Sequence, residues 1–160
     1  MGRLPTTDFF FRMNLGPDNP CALCGFQRET LQHLFVSCPF IQEVWSLVSR
    51  RVNKSISFPD SFASGAWLTS YNYSHFVVSL IATCAWFHWK NRCDVIFRQQ
   101  FRNGYSIVSK ALAHVKDFFT CNHNLLGRKL ICHNFSWAEG PFLFVYSHFH
   151  PDRVFLLFCK

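Results

Sequence analysis

The sequence lacks what a membrane or secretory protein would need. No run of about 20 apolar residues, the length that crosses a bilayer, occurs. The longest strongly apolar stretch, Phe76 to Trp89, is shorter and contains Ser79, Thr83 and His88, so a buried helix is expected there and no membrane partner. Arg3, Pro5, Thr6, Thr7 and Asp8 precede a run of only three Phe, which does not read as a signal-peptide hydrophobic region. A secretory disulfide framework is therefore unsupported for the eight cysteines, and reduced thiols in an intracellular compartment, nuclear or cytoplasmic, are expected. Acidic residues are also scarce: nine Asp and Glu against 16 Lys and Arg give a formal charge of +7. That excess favours an anionic partner, of which nucleic acid is the commonest inside a cell, although charge alone supports only non-specific attraction. Apolar residues are plentiful: 49% of the chain is hydrophobic and twenty residues are Phe, which excludes a disordered chain. A length of 160 residues allows one domain with a real core, or a small module packed on a helical body.

The thiols form one pattern with chemistry in it. Cys21-Ala22-Leu23-Cys24-Gly25, followed by His33 and Cys38, reads Cys-x2-Cys-x8-His-x4-Cys. Two thiols on a tight turn, then an imidazole and a third thiol one short element later, suit tetrahedral zinc, which is borderline-soft and imposes no geometry of its own. With all four positions supplied by protein no vacancy is left for an activated water, so one structural Zn2+ is expected rather than a catalytic one. The alternatives are weaker. Cys121, His123, Cys132 and His133 could form a second set, but adjacent residues such as Cys132 and His133 point apart in most backbones, and His148, His150 and Cys159 are weaker still. Cys84 and Cys93 lie within an apolar helix and are expected to act as small hydrophobes.

In chain order, Thr6 or Thr7 is an N-cap candidate for a short helix over Phe9–Arg12, and Asn14-Leu15-Gly16-Pro17 ends it. Glu29 to Phe35 is expected to supply a helical turn or two presenting His33. Pro39 suits the first position of a helix whose apolar stripe is Phe40, Ile41, Val44, Trp45, Val48 and Val52. His75 to Phe97 reads as the longest helix, apolar almost all round. Asn103-Gly104 marks a turn, Ser106 is an N-cap candidate, and Ile107 to Phe119 repeats at helical spacing. The expected fold is mainly α: a small zinc knuckle over 1–54, a connection over 55–74 that hides a short helix, a helical region over 75–120, and an irregular or weakly β tail over 121–160. In that tail Phe142–Tyr146 and Val154–Phe158 could pair as a hairpin.

These residues resemble a known family. Leu4-Pro5-Thr6 with Asp8 and Arg12, then Cys21-x-x-Cys24-Gly25, Glu29-Thr30, His33-Leu34-Phe35, Cys38 and Trp45, look like the reverse transcriptase zinc-binding domain found downstream of the polymerase in plant LINE-type (non-LTR) retrotransposon proteins. Trp86-Phe87-His88-Trp89-Lys90 with Arg92, Asp94 and Phe97 is similar to the Trp-rich helix that often follows, though Cys93 stands where Asn is usual. The likeness covers roughly residues 4 to 119. It implies an accessory module presumed to contact RNA or DNA, here as a fragment without the enzyme: no aromatic-x-Asp-Asp polymerase motif occurs, and Asp94, Asp117, Glu139 and Asp152 do not form a ribonuclease H-like carboxylate set.

Two classes of function follow. In the first, Arg12, Arg28, Arg50, Arg51 and Lys54 face phosphates around the zinc fold. In the second, the module is structural or docks a protein through the Trp86/Trp89 face, or is a non-functional remnant. Enzymatic activity is not expected. Loss of Cys21 is expected to melt the knuckle while leaving the helices that start near His75 and Ser106 formed.

Overall fold

A computed structural model describes residues 4–26, 28–58, 62, 73–123, 142–145 and 155–158. The fold is mainly helical. Helix α1 spans Thr7–Arg12, with Thr6 as its cap: Thr6 is extended and its hydroxyl accepts from the Phe9 N–H at 3.2 Å. Helix α2 spans Pro39–Val52, with the proline in the first turn, where its missing N–H costs nothing. Its buried stripe is Ile41, Val44, Trp45 and Val48, and Asn53 closes it in the left-handed region at φ 49°.

Helix α3 spans His75–Arg98, capped by Ser74 at one end and by left-handed Gln99 at the other. It buries residues on nearly every side, Val77, Leu80, Ile81, Cys84, His88 and Trp89 among them, as its all-round apolar sequence requires. Helix α4 spans Gly104–His123. Its start corrects the expectation that Ser106 is the cap. Asn103 holds that position, its side-chain oxygen accepting from the Ser106 N–H at 2.9 Å, and Ser106 lies inside the helix. Asn caps as well as Ser, and Gly104 suits the crowded first turn because a Cβ there would meet Glu43 at 3.3 Å and Val44 at 3.4 Å.

The chain divides into two compact units, 1–116 and 117–160. In the first, one continuous core runs through Cys21, Leu34, Ile41, Val44, Leu80, Ile81, Cys84, Ile107 and Ala111. The residues around the knuckle and the helices after residue 75 are thus packed as one body. Each fully buried Leu or Ile in it contributes about 1.5–3 kcal/mol. The described part of 55–74 is held down by its aromatics: Phe58 packs on Trp45 with ring centroids 5.1 Å apart, Phe62 stacks on Phe35 at 4.7 Å, and the Tyr73 hydroxyl donates to the Ser55 carbonyl at 3.0 Å. A short helix expected within this stretch falls mostly outside the described residues.

In the second unit, strand β1 (Phe142–Val145) pairs antiparallel with strand β2 (Phe155–Phe158), Phe142 opposite Phe158 and Val145 opposite Phe155. This is the hairpin expected of the two apolar runs. Among the described residues no helix is long and apolar enough to cross a membrane.

Candidate metal centre

The knuckle is built by backbone geometry on both sides. Pro20 and Arg28 form an antiparallel bridge that closes the first loop at its base. Within it the Gly25 N–H donates to the Cys21 carbonyl at 2.8 Å, and Gly25 takes φ 72°, a conformation that side chains rarely adopt. The second pair of ligands sits on a wider turn than expected. The chain is α-helical only at residues 31 and 32 and then passes into a π-turn, His33–Ser37. Thr30 anchors its start, its hydroxyl accepting from the His33 N–H at 3.0 Å, and the Cys38 N–H closes it on the His33 carbonyl at 2.7 Å. Both ligands therefore belong to one hydrogen-bonded ring. Such single π-turns interrupt helices most often where function needs a side chain re-aimed.

One ligand atom from each of Cys21, Cys24, His33 and Cys38 lies within 4.8 Å of the other three. Cys21 Sγ and Cys38 Sγ are 4.0 Å apart, and Cys24 Sγ is 3.3 Å from His33 Nε2. Bonds of about 2.3 Å to sulfur and 2.0 Å to nitrogen place the corners of a tetrahedral zinc site about 3.8 Å (S to S) and 3.5 Å (N to S) apart. The observed separations bracket those values. They are far too long for a disulfide, whose sulfurs approach to about 2.05 Å, and the cysteines are free.

The protonation chemistry agrees with a metal. Burial holds the His33 imidazole below its usual pKa, with the Glu29 carboxylate opposing, which favours the neutral ring that ligates. Of the sulfur pair, Cys38 ionises first: the Cys21 thiol donates to it and draws its pKa down, against burial. Cys21 is pushed up in turn, by holding that proton and then by burial. A thiolate beside buried thiols needs a positive centre to release the remaining protons, and a divalent zinc supplies one. The donor set fits the ion, and four protein donors leave no place for a substrate water.

Behind the ligands lies a shell that the spacing pattern does not mark. Glu29 is fully buried between the two halves of the knuckle, where it accepts the Thr7 N–H at 3.1 Å and a two-pronged ion pair from Arg92 of α3, one prong at 3.1 Å. His88 of α3 reaches the Leu34 carbonyl at 2.8 Å, and the Trp45 indole N–H of α2 donates to the Phe35 carbonyl at 2.9 Å. Two successive carbonyls of the π-turn are thereby held by side chains from two helices. Such outer partners orient metal ligands and tune them. The available signal was Arg92 and Asp94 two residues apart in the last third of a long, mostly apolar helix, since charge inside a core is almost always paired.

The expected basic contacts divide. Arg28 is ion-paired with Asp18 and, at 3.5 Å, with Asp8, and lies 4.7 Å above the Phe11 ring. Its guanidinium holds the Asp18 carboxyl below the usual range. Arg12 pairs with Asp8 at 2.8 Å. Arg50 and Arg51 are exposed on the last turn of α2, and Lys54 follows them with its ammonium 4.8 Å from the Tyr73 ring centroid. Arg92, one of the residues of the Trp-rich helix, is buried on Glu29, and Trp89 is buried under it with the guanidinium 5.0 Å from the indole. Of the alternative thiols, Cys84 is buried, which pushes its pKa up to about 12. Cys121 is exposed on α4, while Cys132, His133, His148, His150 and Cys159 lie outside the described residues.

Residues 1–45 match the protein family described as zinc-binding in reverse transcriptase, and all four ligands fall inside the matched span. The searches of curated proteins and of solved structures returned no match.

Proposed function

We propose that this chain is the zinc-binding accessory module of a retroelement reverse transcriptase, of the plant LINE type, and that it binds RNA or DNA without catalytic residues of its own. The observation that carries the reading is the four-donor Cys/His site inside the span that matches the zinc-binding family. A site closed by four protein ligands stabilises a fold and does no chemistry, so its product is a shaped surface. That surface is basic: the formal charge is +7, and Arg50 and Arg51 project from α2 without an ion pair among the described residues. Arg12 and Arg28 retain their donors but are already neutralised by Asp8 and Asp18, so they contribute less to phosphate attraction than the α2 pair.

The test is a titration of the zinc-loaded full chain with fluorescein-labelled single-stranded RNA at increasing salt. Affinity should fall linearly with the logarithm of salt, and Arg50→Gln/Arg51→Gln should lower that slope by roughly 1.4, about 0.7 per released phosphate contact. No binding at low salt would overturn the reading and favour a structural or protein-docking module.

A further inference from the structure

A second basic surface lies away from the knuckle, where α3 turns into α4. Lys90, Arg102 and Lys110 line a small cavity of about 60 Å³ together with Phe87 and Ile107. That space admits several waters or the oxygens of one phosphate, and no base. Among the described residues Arg102 ion-pairs with Asp94, which it shares with Arg98, leaving Arg98, Arg102 and Asp94 with net positive charge, and the Glu43 carboxyl lies against Gly104.

Arg102 is fixed in place before any ligand arrives. Asn91, fully buried, clamps its backbone from both sides: the Asn91 amide donates to the Arg102 carbonyl at 3.2 Å, and the Arg102 N–H donates to the Asn91 side-chain oxygen at 2.8 Å. A buried polar side chain spent on holding one loop residue fixes the backbone from which Arg102 projects, and Asp94 holds its guanidinium; such pre-ordering lowers the cost of binding.

Aromatic surface adjoins it. Lys90 lies 5.6 Å from the Trp86 ring centroid, and Phe97, seven residues on, falls on the same face of α3 about 10 Å further along. Phe97 is 78% exposed, an unusual burden for a helix whose other faces are buried. Cations over a phosphate-sized hollow beside a solvent-facing ring are the two parts of a single-strand platform.

We propose that the α3–α4 corner binds single-stranded nucleic acid, with Lys90, Arg102 and Lys110 taking one backbone phosphate and Phe97 stacking the neighbouring base. This rests on the nucleic-acid reading above and names a second place where it acts. In the same RNA titration, with zinc content and circular dichroism unchanged, Lys90→Gln/Lys110→Gln should lower the salt slope by roughly 0.7, the contribution of the one phosphate they hold. Phe97→Ala should weaken binding roughly tenfold and leave the slope as it was.

If the wild type binds RNA but both variants match it, the corner is rejected while binding through Arg50 and Arg51 stands. A lowered slope with no effect of Phe97→Ala also overturns the proposal, as diffuse charge without stacking. If the wild type binds nothing, the corner and the nucleic-acid reading fall together.

Discussion

Glu29 and Arg92, 63 residues apart, meet in a two-pronged ion pair whose side chains are 0% and 4% exposed. The carboxylate belongs to the knuckle and the guanidinium to α3, so this contact ties the ligand loops to the helical body. Removing one partner leaves the other charge buried and unpaired, which costs about 3–5 kcal/mol in such sites. Arg92→Met should therefore destabilise the zinc-loaded protein by that amount in urea unfolding. Glu29→Met/Arg92→Met together should recover part of it, giving a non-additive double-mutant cycle. Additive losses would show that the pair is not coupled.

Much of this architecture was legible from local rules. The ligand spacing named the four donors, Pro39 marked the start of α2, and the apolar run around Ile81 announced a buried helix. What escaped was long-range or cooperative. No periodicity pairs Glu29 with Arg92, because the partner is chosen by the packed fold. The π-turn arises where the Cys38 N–H reaches His33, a register that helical spacing does not foresee. Asn103 displaced Ser106 as cap because its side-chain oxygen reaches the Ser106 N–H, a choice between two good caps that sequence alone does not make.

His88 makes stability depend on pH. It is fully buried, with Nε2 on the Leu34 carbonyl and Nδ1 without a hydrogen-bond partner, between the rings of Phe35 and Phe40. Burial lowers its pKa from 6.5 to about 4. Below pH 6.5 the unfolded chain takes up a proton that the folded chain refuses, so stability falls from there and the loss is complete near pH 4, at about 3 kcal/mol. Zinc ligands titrate in the same range, so the relevant quantity is the difference from His88→Leu. The wild type should lose about that much more stability than the variant between pH 7 and 4; parallel curves would contradict it.

Trp45 offers a cleaner probe of the π-turn. Phe at this position keeps most of the packing against Phe58 but removes the indole donor to the buried Phe35 carbonyl. The expected cost is about 1–3 kcal/mol, the penalty of an unsatisfied buried acceptor. Thermal melts of Trp45→Phe with zinc in excess measure it, and an unchanged midpoint would remove the indole from the account.

Chelation should reach beyond the knuckle. Sequence alone led to the expectation that α3 and α4 would survive loss of Cys21. Because the buried side chains of Arg92 and His88 are held by Glu29 and the Leu34 carbonyl of the knuckle, metal removal should loosen α3 as well. The near-ultraviolet signal of Trp89, which lies under Arg92, should weaken on adding a chelator while far-ultraviolet helicity falls only in part. A Trp89 signal that ignores chelation would restore the original expectation.

The central claim is that Cys21, Cys24, His33 and Cys38 hold one zinc ion that supports the fold. Metal analysis of the purified protein tests it most directly, beside Cys21→Ser and, as a control outside the site, Cys93→Ser. The account predicts one zinc per wild-type chain, one in Cys93→Ser, and loss of zinc in Cys21→Ser together with folding free energy on the order of 10 kcal/mol. A metal-free wild type, or full zinc content in Cys21→Ser, would contradict it.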